Sequence, residues 1–120
     1  MTNAALAAIE QVRFDMSNHK ALRYNKGKAP LSYVTSAKYA LEGCAEVFAF
    51  GAEKYDRDNW KKGLPSNEII DSLLRHLTQY QEGETHDEES GCHHLDHILC
   101  NAIFLAYHHN GKKEEAECKK

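Results

Sequence analysis

Four carboxylates in the middle of the chain stand at helical spacing. Glu42 and Glu46 are four residues apart, and a helix places such residues on one face. Glu68 and Asp71 are three residues apart and share a face in the same way. If the two faces met, they would offer the hard oxygen ligands that Mg²⁺ or Mn²⁺ prefers. Spacing alone favours a plainer interpretation, the solvated face of an amphipathic helix.

Two alternatives use histidine. The first is an HD-type nucleotide phosphohydrolase, and its candidate ligands lie close together in the chain: His76, His86, Asp87 and Asp96. That spacing is compressed, because such sites draw their ligands from well-separated helices. The second is a non-catalytic zinc-binding module with its ligands in one segment: Cys92, His93, His97 and Cys100. A lone helix cannot complete a tetrahedral zinc site, so a histidine-rich interface helix is the plainer interpretation.

The segments that carry the carboxylates have apolar residues at helical intervals, which predicts two helices. The first spans about 36–50, with Gly51 as its expected stop. The second begins with Ser66 as the expected N-cap and ends at Gly83. Between the two helices, the charged stretch 53–64 is expected to be an ordered loop.

Two further helices complete the predicted fold. One covers 4–16 and is followed by a polar loop over 17–31. The other covers roughly 93–109, with Asn110 and Gly111 as its expected end. Strand-type alternation is essentially absent. The sequence therefore predicts an all-α fold, a small bundle of about four helices in a single domain, 1–120, with a charged tail over 111–120.

Composition argues against several classes of function. With 15 basic and 18 acidic residues, the chain carries a formal net charge of −3, so it has no basic field to hold a nucleic-acid backbone. The longest apolar run, 98–107, is far shorter than a membrane span. The first ten residues lack the basic stretch of a secretory signal. A cytoplasmic protein without nucleic-acid or membrane partners is expected.

The longer pattern around the carboxylates resembles a known family. The order of the two carboxylate pairs is similar to the EExxE…ExxD signature of MazG-like all-α nucleoside triphosphate pyrophosphohydrolases, except that Gly43 takes the second acidic position. Further segments resemble the phage dATP/dGTP diphosphohydrolases called MazZ and related phage proteins: 23–28 (RYNKGK), 50–55 (FGAEKY), 58–60 (DNW), 75–77 (RHL), 87–91 (DEESG) and 94–95 (HL).

The resemblance implies metal-dependent hydrolysis of a (deoxy)purine nucleoside triphosphate to the monophosphate and pyrophosphate. The implied ligands of Mg²⁺ or Mn²⁺ are the four carboxylates: Glu42, Glu46, Glu68 and Asp71. Bound metal would polarise phosphoryl oxygens and activate a water molecule. One of the carboxylates, or Glu53, would hold that water as general base. Glu53 is the nearest replacement for the carboxylate that Gly43 lacks.

Substrate contacts are expected from residues in or beside the matched segments. The cations expected to meet phosphate are Lys26, Lys28, Lys54 and Arg75. The expected base contacts are Asn25, Tyr55, Asn59 and Trp60, although a lone tryptophan is more often a core residue. His76 and His94 belong to matched segments in structural or catalytic roles. Because a short chain can hardly cover an acidic metal site, a homodimer or homotetramer is expected. If the gene is a phage gene, the protein is expected in the cytoplasm of the bacterial host.

Overall fold

The computed structural model describes residues 3–6 and 21–118, with side chains as far as residue 111. The chain divides into two compact units, 1–31 and 32–120. In the first unit, residues 3–6 are helical and the remainder of the predicted helix 4–16 lies outside the described residues. Residues 21–31 form an exposed loop that contains a turn.

The second unit is built from helices joined by short loops. Its elements in chain order are α1 (Ser32–Thr35), α2 (Lys38–Lys54), a 3₁₀ helix (Asn59–Lys62), α3 (Ser66–Gln81) and α4 (His94–Cys118). In the described part of the chain, the only β-type pairing is an isolated bridge between His86 and His93. The predicted all-α fold is confirmed. None of the helices described has the length and apolar character needed to cross a membrane.

Helix α4 is the element on which the others pack, since α2, α3 and the 3₁₀ helix all contact it. The small buried core between α2 and α4 consists of Cys44, Val47 and Cys100. At one end of this core lies an aromatic cluster, which we define as Phe48, Trp60, Phe104 and Tyr107. Trp60 stacks on Phe104 with ring centroids 5.0 Å apart. The tryptophan therefore closes the end of the bundle.

Two predicted helix ends were wrong because each was assigned to a glycine. Helix α2 continues through Gly51 to Lys54, and α4 continues through Gly111 to Cys118. A glycine ends a helix when it takes a left-handed conformation. Gly51 and Gly111 do not, whereas Gly83 does, with φ +103°. The predicted end of α3 near Gly83 is confirmed, since the helix runs to Gln81.

The start of α3 also differs by one residue from the prediction. The Pro65 carbonyl accepts hydrogen bonds from the amides of Glu68 and Ile69, at 3.0 and 3.2 Å. Pro65 has an extended backbone, with φ −59° and ψ 125°. The first intrahelical bonds thus end on Pro65, which occupies the N-cap position. Ser66 is the first helical residue, and its prediction as N-cap was wrong.

Candidate active site

A polar cleft of about 350 Å³ lies among α2, α3, α4 and the loop that joins α3 to α4. We refer to residues 84–91 of that loop as the acidic loop. The charged and imidazole side chains that line the polar cleft are Lys54, Arg75, His76, Asp87, Glu89 and His97. Tyr55 lines it as well. The structure thus brings together four of the predicted substrate-binding residues: Lys54, Tyr55, Arg75 and His76.

The cations of the polar cleft differ in how firmly they are held. Lys54 donates a 2.6 Å hydrogen bond from Nζ to Oε1 of Glu89, and this bond raises the pKa of Lys54. The Lys54 ammonium also lies 5.3 Å from the centre of the Phe50 ring. Arg75 makes a long 3.4 Å contact with the Ser72 hydroxyl. An incoming anion can therefore meet Arg75 directly but must compete with Glu89 for Lys54.

His76 and His97 line the inner wall of the polar cleft, and His94 is buried beside them. We call His76, His94 and His97 the histidine cluster. The Nδ1 atoms of His76 and His94 are 2.8 Å apart, and the rings of His76 and His97 are stacked with centroids 4.2 Å apart. His94 is completely buried and His76 is 6% exposed. Burial, followed by the neighbouring His97, lowers the pKa of His76 to about 4. Burial also lowers the pKa of His97.

Asp87 faces the histidine cluster from the acidic loop. Its Oδ2 accepts hydrogen bonds from the Ser90 amide at 2.9 Å and the Ser90 hydroxyl at 3.0 Å. Burial raises the pKa of Asp87, but these bonds and the nearby His97 outweigh it, so that the pKa lies below its ordinary value. One ligand atom from each of His76, Asp87 and His94 lies within 4.8 Å of the other two. This triad could hold a metal ion.

Local structure fixes the positions of these groups. The acidic loop is closed by two backbone bonds of 2.8 Å, from Asp87 N to the Cys92 carbonyl and from His94 N to the Thr85 carbonyl. His94 and His97 are one turn apart at the start of α4, and Asn101 follows on the same face. The Asn101 amide donates to the Ser72 hydroxyl of α3 at 3.2 Å. This face of α4 lines both the interhelical seam and the site.

The four carboxylates predicted as metal ligands lie on α2 and α3 and are all exposed: Glu42, Glu46, Glu68 and Asp71. Glu42 pairs with Lys38 at 3.7 Å. Among the described residues, one group brings three possible metal-ligating atoms within 4.8 Å of one another, and it consists of His76, Asp87 and His94. A single chain does not gather the four carboxylates, and their joint metal site stays a prediction. Glu53 is exposed near the end of α2 and also stays a predicted base.

The glycine at the second acidic position of the signature has a structural cause. A Cβ atom on Gly43 would collide with the carboxylate of Asp96. A side chain at position 43 would therefore require the Asp96 side chain of α4 to move. An acidic group of α4 thus lies beside the position where the signature has its second acidic residue, and sequence reasoning did not identify this proximity.

An aromatic cleft of about 410 Å³ adjoins the polar cleft, and Gly51 and Tyr55 line both. Asn59 and Trp60, two of the predicted base contacts, line only the aromatic cleft of this pair. Tyr55 is 63% exposed, whereas Trp60 is half-buried against Phe104. Tyr55 is thus the aromatic ring placed to contact ligands in both clefts.

The remaining predicted residues fall into two groups. Asn25, Lys26 and Lys28 are exposed in the first unit, in a turn where the Lys28 amide donates to the Asn25 carbonyl at 3.0 Å. Their predicted contacts with substrate stay predictions. In the described structure, neither histidine-based alternative is found as a complete set of ligands. The triad contains His76 and Asp87 of the HD-type alternative, but its third member is His94, which belonged to neither set.

Glu84, Ser90 and Glu89 were not identified from the sequence as site residues. The matched segment 87–91 was the signal that could have found two of them. Glu84 contacts His94, whose Nε2 lies 3.1 Å from Glu84 Oε1. Through their contacts, Glu84 positions His94, Ser90 positions Asp87 and Glu89 positions Lys54.

An all-α unit whose cleft combines two cations with carboxylates and buried imidazoles has the groups that bind and process a phosphorylated ligand. The family model described as "dATP/dGTP diphosphohydrolase, N-terminal" matches residues 18–118, and the chain belongs to this family. It is also 34% identical, over 84 residues, to a dATP/dGTP diphosphohydrolase of Salmonella phage PMBT28. That match covers 70% of this chain and 28% of the relative. No solved structure matches the chain significantly.

Proposed function

We propose that the protein hydrolyses a (deoxy)purine nucleoside triphosphate to the monophosphate and pyrophosphate, with the triphosphate in the polar cleft. The observation that carries this proposal is the meeting of Lys54 and Arg75 with Asp87 and Glu89 in one cleft. Family membership and the name of the phage relative support it. Two cations provide phosphate contacts, and nearby carboxylates provide groups for the attacking water.

Phosphate binding proceeds by exchange at Lys54. Arg75 contacts a phosphate oxygen first, because its own partner, Ser72, is neutral and distant at 3.4 Å. The triphosphate then replaces Glu89 on Lys54, whose ion pair is only partly shielded from water. Lys26 and Lys28 of the first unit are proposed as further phosphate contacts, as the family resemblance implies.

The exchange frees a carboxylate beside the phosphates. Glu89 then accepts a proton from the attacking water, whose oxygen forms a bond to the α-phosphorus while the bond from that phosphorus to the bridging oxygen breaks. Pyrophosphate leaves with the electron pair of the broken bond. Glu53 and the four signature carboxylates remain alternative bases on the strength of the resemblance.

The purine is placed in the aromatic cleft. Tyr55 lines both clefts, so its exposed ring can stack on a base whose phosphates lie in the polar cleft. Asn59 and Trp60 line the aromatic cleft further in, where Asn59 offers hydrogen bonds to a base edge. Asn25 is proposed as a further base contact. This arrangement supports a nucleotide rather than an inorganic polyphosphate as substrate.

Mg²⁺ or Mn²⁺ is proposed as the cofactor, as the resemblance implies. The donor chemistry of Glu42, Glu46, Glu68 and Asp71 suits Mg²⁺, but these exposed side chains are not gathered within one chain. These four side chains therefore do not form a magnesium site within one chain as described. A homodimer or homotetramer of the single domain 1–120, acting in the host cytoplasm, stays a proposal that size-exclusion chromatography tests in part.

Product analysis tests the proposed reaction. The protein is incubated with each purine and pyrimidine nucleoside triphosphate, in the deoxy and ribo forms, with Mg²⁺ or Mn²⁺, and the products are separated by anion-exchange chromatography. Monophosphate and pyrophosphate from a purine substrate are expected. Release of inorganic phosphate with a diphosphate, or release of intact tripolyphosphate, would contradict the proposed bond cleavage.

A matched pair of variants tests the role of Glu89. Glu89→Gln is expected to lower kcat about 100-fold, because the water loses its proton acceptor. The same change should lower KM, because Lys54 no longer has a charged partner. Glu88→Gln is the control, since Glu88 is the exposed neighbour that does not line the polar cleft. Unchanged kcat in Glu89→Gln would return the role of base to Glu53 or the signature carboxylates.

A further inference from the structure

Three side chains from α3, the acidic loop and α4 converge at the inner wall of the polar cleft. The Nδ1 atoms of His76 and His94 are 2.8 Å apart. Adjacent ligands held about 2.0–2.1 Å from one ion lie roughly 3 Å from each other. The two imidazole nitrogens thus already have the spacing of two ligands of a common ion, and an Asp87 oxygen lies within 4.8 Å of the ligand atoms of both.

We propose that His76, Asp87 and His94 bind one divalent first-row transition-metal ion of the class Mn²⁺, Co²⁺ or Zn²⁺. Two imidazoles with one carboxylate select such ions, whereas Mg²⁺ prefers sites made of oxygen ligands. This site differs from the predicted four-carboxylate site in its residues and in its discrimination against Mg²⁺. The inference goes beyond the proposed hydrolysis and does not depend on it.

The orientation of His94 is that of a metal ligand. His94 is completely buried, and its Nε2 lies 3.1 Å from Oε1 of Glu84. An ionised carboxylate only accepts hydrogen bonds, so the Nε2 of His94 carries the proton of this bond. In the neutral ring, Nδ1 then carries the lone pair, and it faces Nδ1 of His76. Metal-binding histidines typically donate their second N–H to a carboxylate in this way.

The second histidine is held in plane by its neighbour. The ring of His76 lies nearly parallel to that of His97, at an angle of 5° with centroids 4.2 Å apart. Without an ion, the His76 Nδ1 must donate its proton to His94. With an ion bound, the neutral His76 ring carries its proton on Nε2, and Nδ1 is available as a ligand. The competing interpretation of the 2.8 Å contact between the two Nδ1 atoms is a hydrogen bond between two buried imidazoles, with no ion bound.

Asp87 is fixed independently of the two histidines. The Ser90 amide and hydroxyl both hold its Oδ2, and the same hydroxyl lies 2.7 Å from Nε2 of His97. His76 and Asp87 line the polar cleft, so an ion can enter from the cleft and reach the buried His94 behind them. Three protein ligands leave further coordination positions open toward the cleft.

Metal titration of the full chain tests this site. Protein freed of metal by a chelator is titrated with Co²⁺, followed by visible absorption and by isothermal calorimetry, and then with Zn²⁺ in competition. One Co²⁺ per chain is expected, with displacement by Zn²⁺ and none by excess Mg²⁺. Asp87→Asn and His76→Gln are each expected to weaken Co²⁺ binding at least 100-fold.

Controls separate this site from ordinary surface histidines. His86→Gln and Glu88→Gln change exposed residues of the same loop and should leave Co²⁺ affinity unchanged. Glu84→Gln should weaken binding roughly tenfold while keeping one ion per chain. Asp87→Asn leaves the buried imidazole pair intact, so it remains informative if His76→Gln fails to fold. Absence of Co²⁺ binding by the native chain, or equal affinity in Asp87→Asn and the controls, would overturn the proposal in favour of the plain hydrogen bond.

Discussion

The side chains of α4 are described over residues 94–111. The two halves of this stretch, 94–102 and 103–111, use one face of the helix in opposite ways. In the first half, His94, His97 and Asn101 make hydrogen bonds and ring contacts with α3 and the acidic loop. In the second half, Phe104 packs in the aromatic cluster, where it stacks on Trp60. These four residues are spaced three, four and three apart, so they follow one stripe along the helix. The buried stripe changes from polar to aromatic halfway along.

This difference separates two kinds of stabilisation. Aromatic contacts stabilise the fold without demanding one exact hydrogen-bond geometry. Buried polar groups are costly unless each finds its partner, and a satisfied network specifies one arrangement of side chains. We infer that the aromatic half supplies stability and that the polar half supplies the geometry of the site. Substitutions that affect one half at a time can test whether stability and site geometry are separable.

The largest expected effect is on turnover and belongs to the polar half. Asp87→Asn is expected to lower kcat about 1,000-fold, or about 4 kcal/mol, because it removes one of the two cleft carboxylates that the proposed reaction places beside the attacking water. Its melting temperature should change little, because asparagine keeps an oxygen that can accept the bonds from Ser90. Single-turnover kinetics and thermal denaturation measure the two effects. Turnover near the native rate would remove Asp87 from the site.

The next effect is on stability and belongs to the aromatic half. Phe104→Ala is expected to lower the free energy of unfolding by about 3 kcal/mol, because it removes the ring that packs on both Phe48 and Trp60. Chemical denaturation measures this loss. The Co²⁺ affinity of the folded variant should equal that of the native chain. A parallel loss of affinity would show that the two halves of α4 are coupled.

A smaller effect links the histidine cluster to pH in the metal-free chain. Burial lowers the pKa of His76 from 6.5 to about 4. As the pH falls, this imidazole is therefore protonated in the unfolded chain at a higher pH than in the folded chain. Stability that is present above about pH 6.5 is therefore lost as the pH falls toward 4. Between pH 7 and pH 5 the loss should be about 2 kcal/mol larger in the native chain than in His76→Asn. Denaturant titrations at both pH values measure it, and equal losses would contradict the assignment.

The helices could be predicted because apolar periodicity determines them locally. The end of α3 near Gly83 could be predicted as well, but the ends of α2 and α4 could not, since whether Gly51 or Gly111 stops a helix depends on a backbone conformation that later contacts select. Periodicity also showed that Glu42 and Glu46 share a face, but it cannot say which faces of two helices meet. Both α2 and α3 pack on α4, and that arrangement leaves these carboxylates exposed.

The matched segments supplied four residues that line one cleft, Lys54, Tyr55, Arg75 and His76, and their roles there stay predictions. The HD-type alternative grouped His76 with Asp87, but the convergence of both with His94 was not predicted. It depends on the closed shape of the acidic loop, where Asp87 and His94 each make a backbone bond within the loop at 2.8 Å. Contacts of this kind join residues whose spacing follows neither helical nor strand periodicity, so no sequence pattern announces them.

The smallest expected effect lies at the rim of the polar cleft, away from both halves of α4. Lys54→Met is expected to raise the KM for the triphosphate about tenfold and to leave kcat nearly unchanged. The effect is modest because the exposed ammonium already has Glu89 as a partner in the free protein, so part of its interaction with phosphate is offset. Lys61→Met is the matched control, since Lys61 is exposed, pairs with Asp58 at 3.3 Å and lies outside the polar cleft. Steady-state kinetics measures both variants. A large fall in kcat with unchanged KM would mean that Lys54 stabilises the transition state of the reaction. Its assignment as a residue that only binds the substrate would then be wrong.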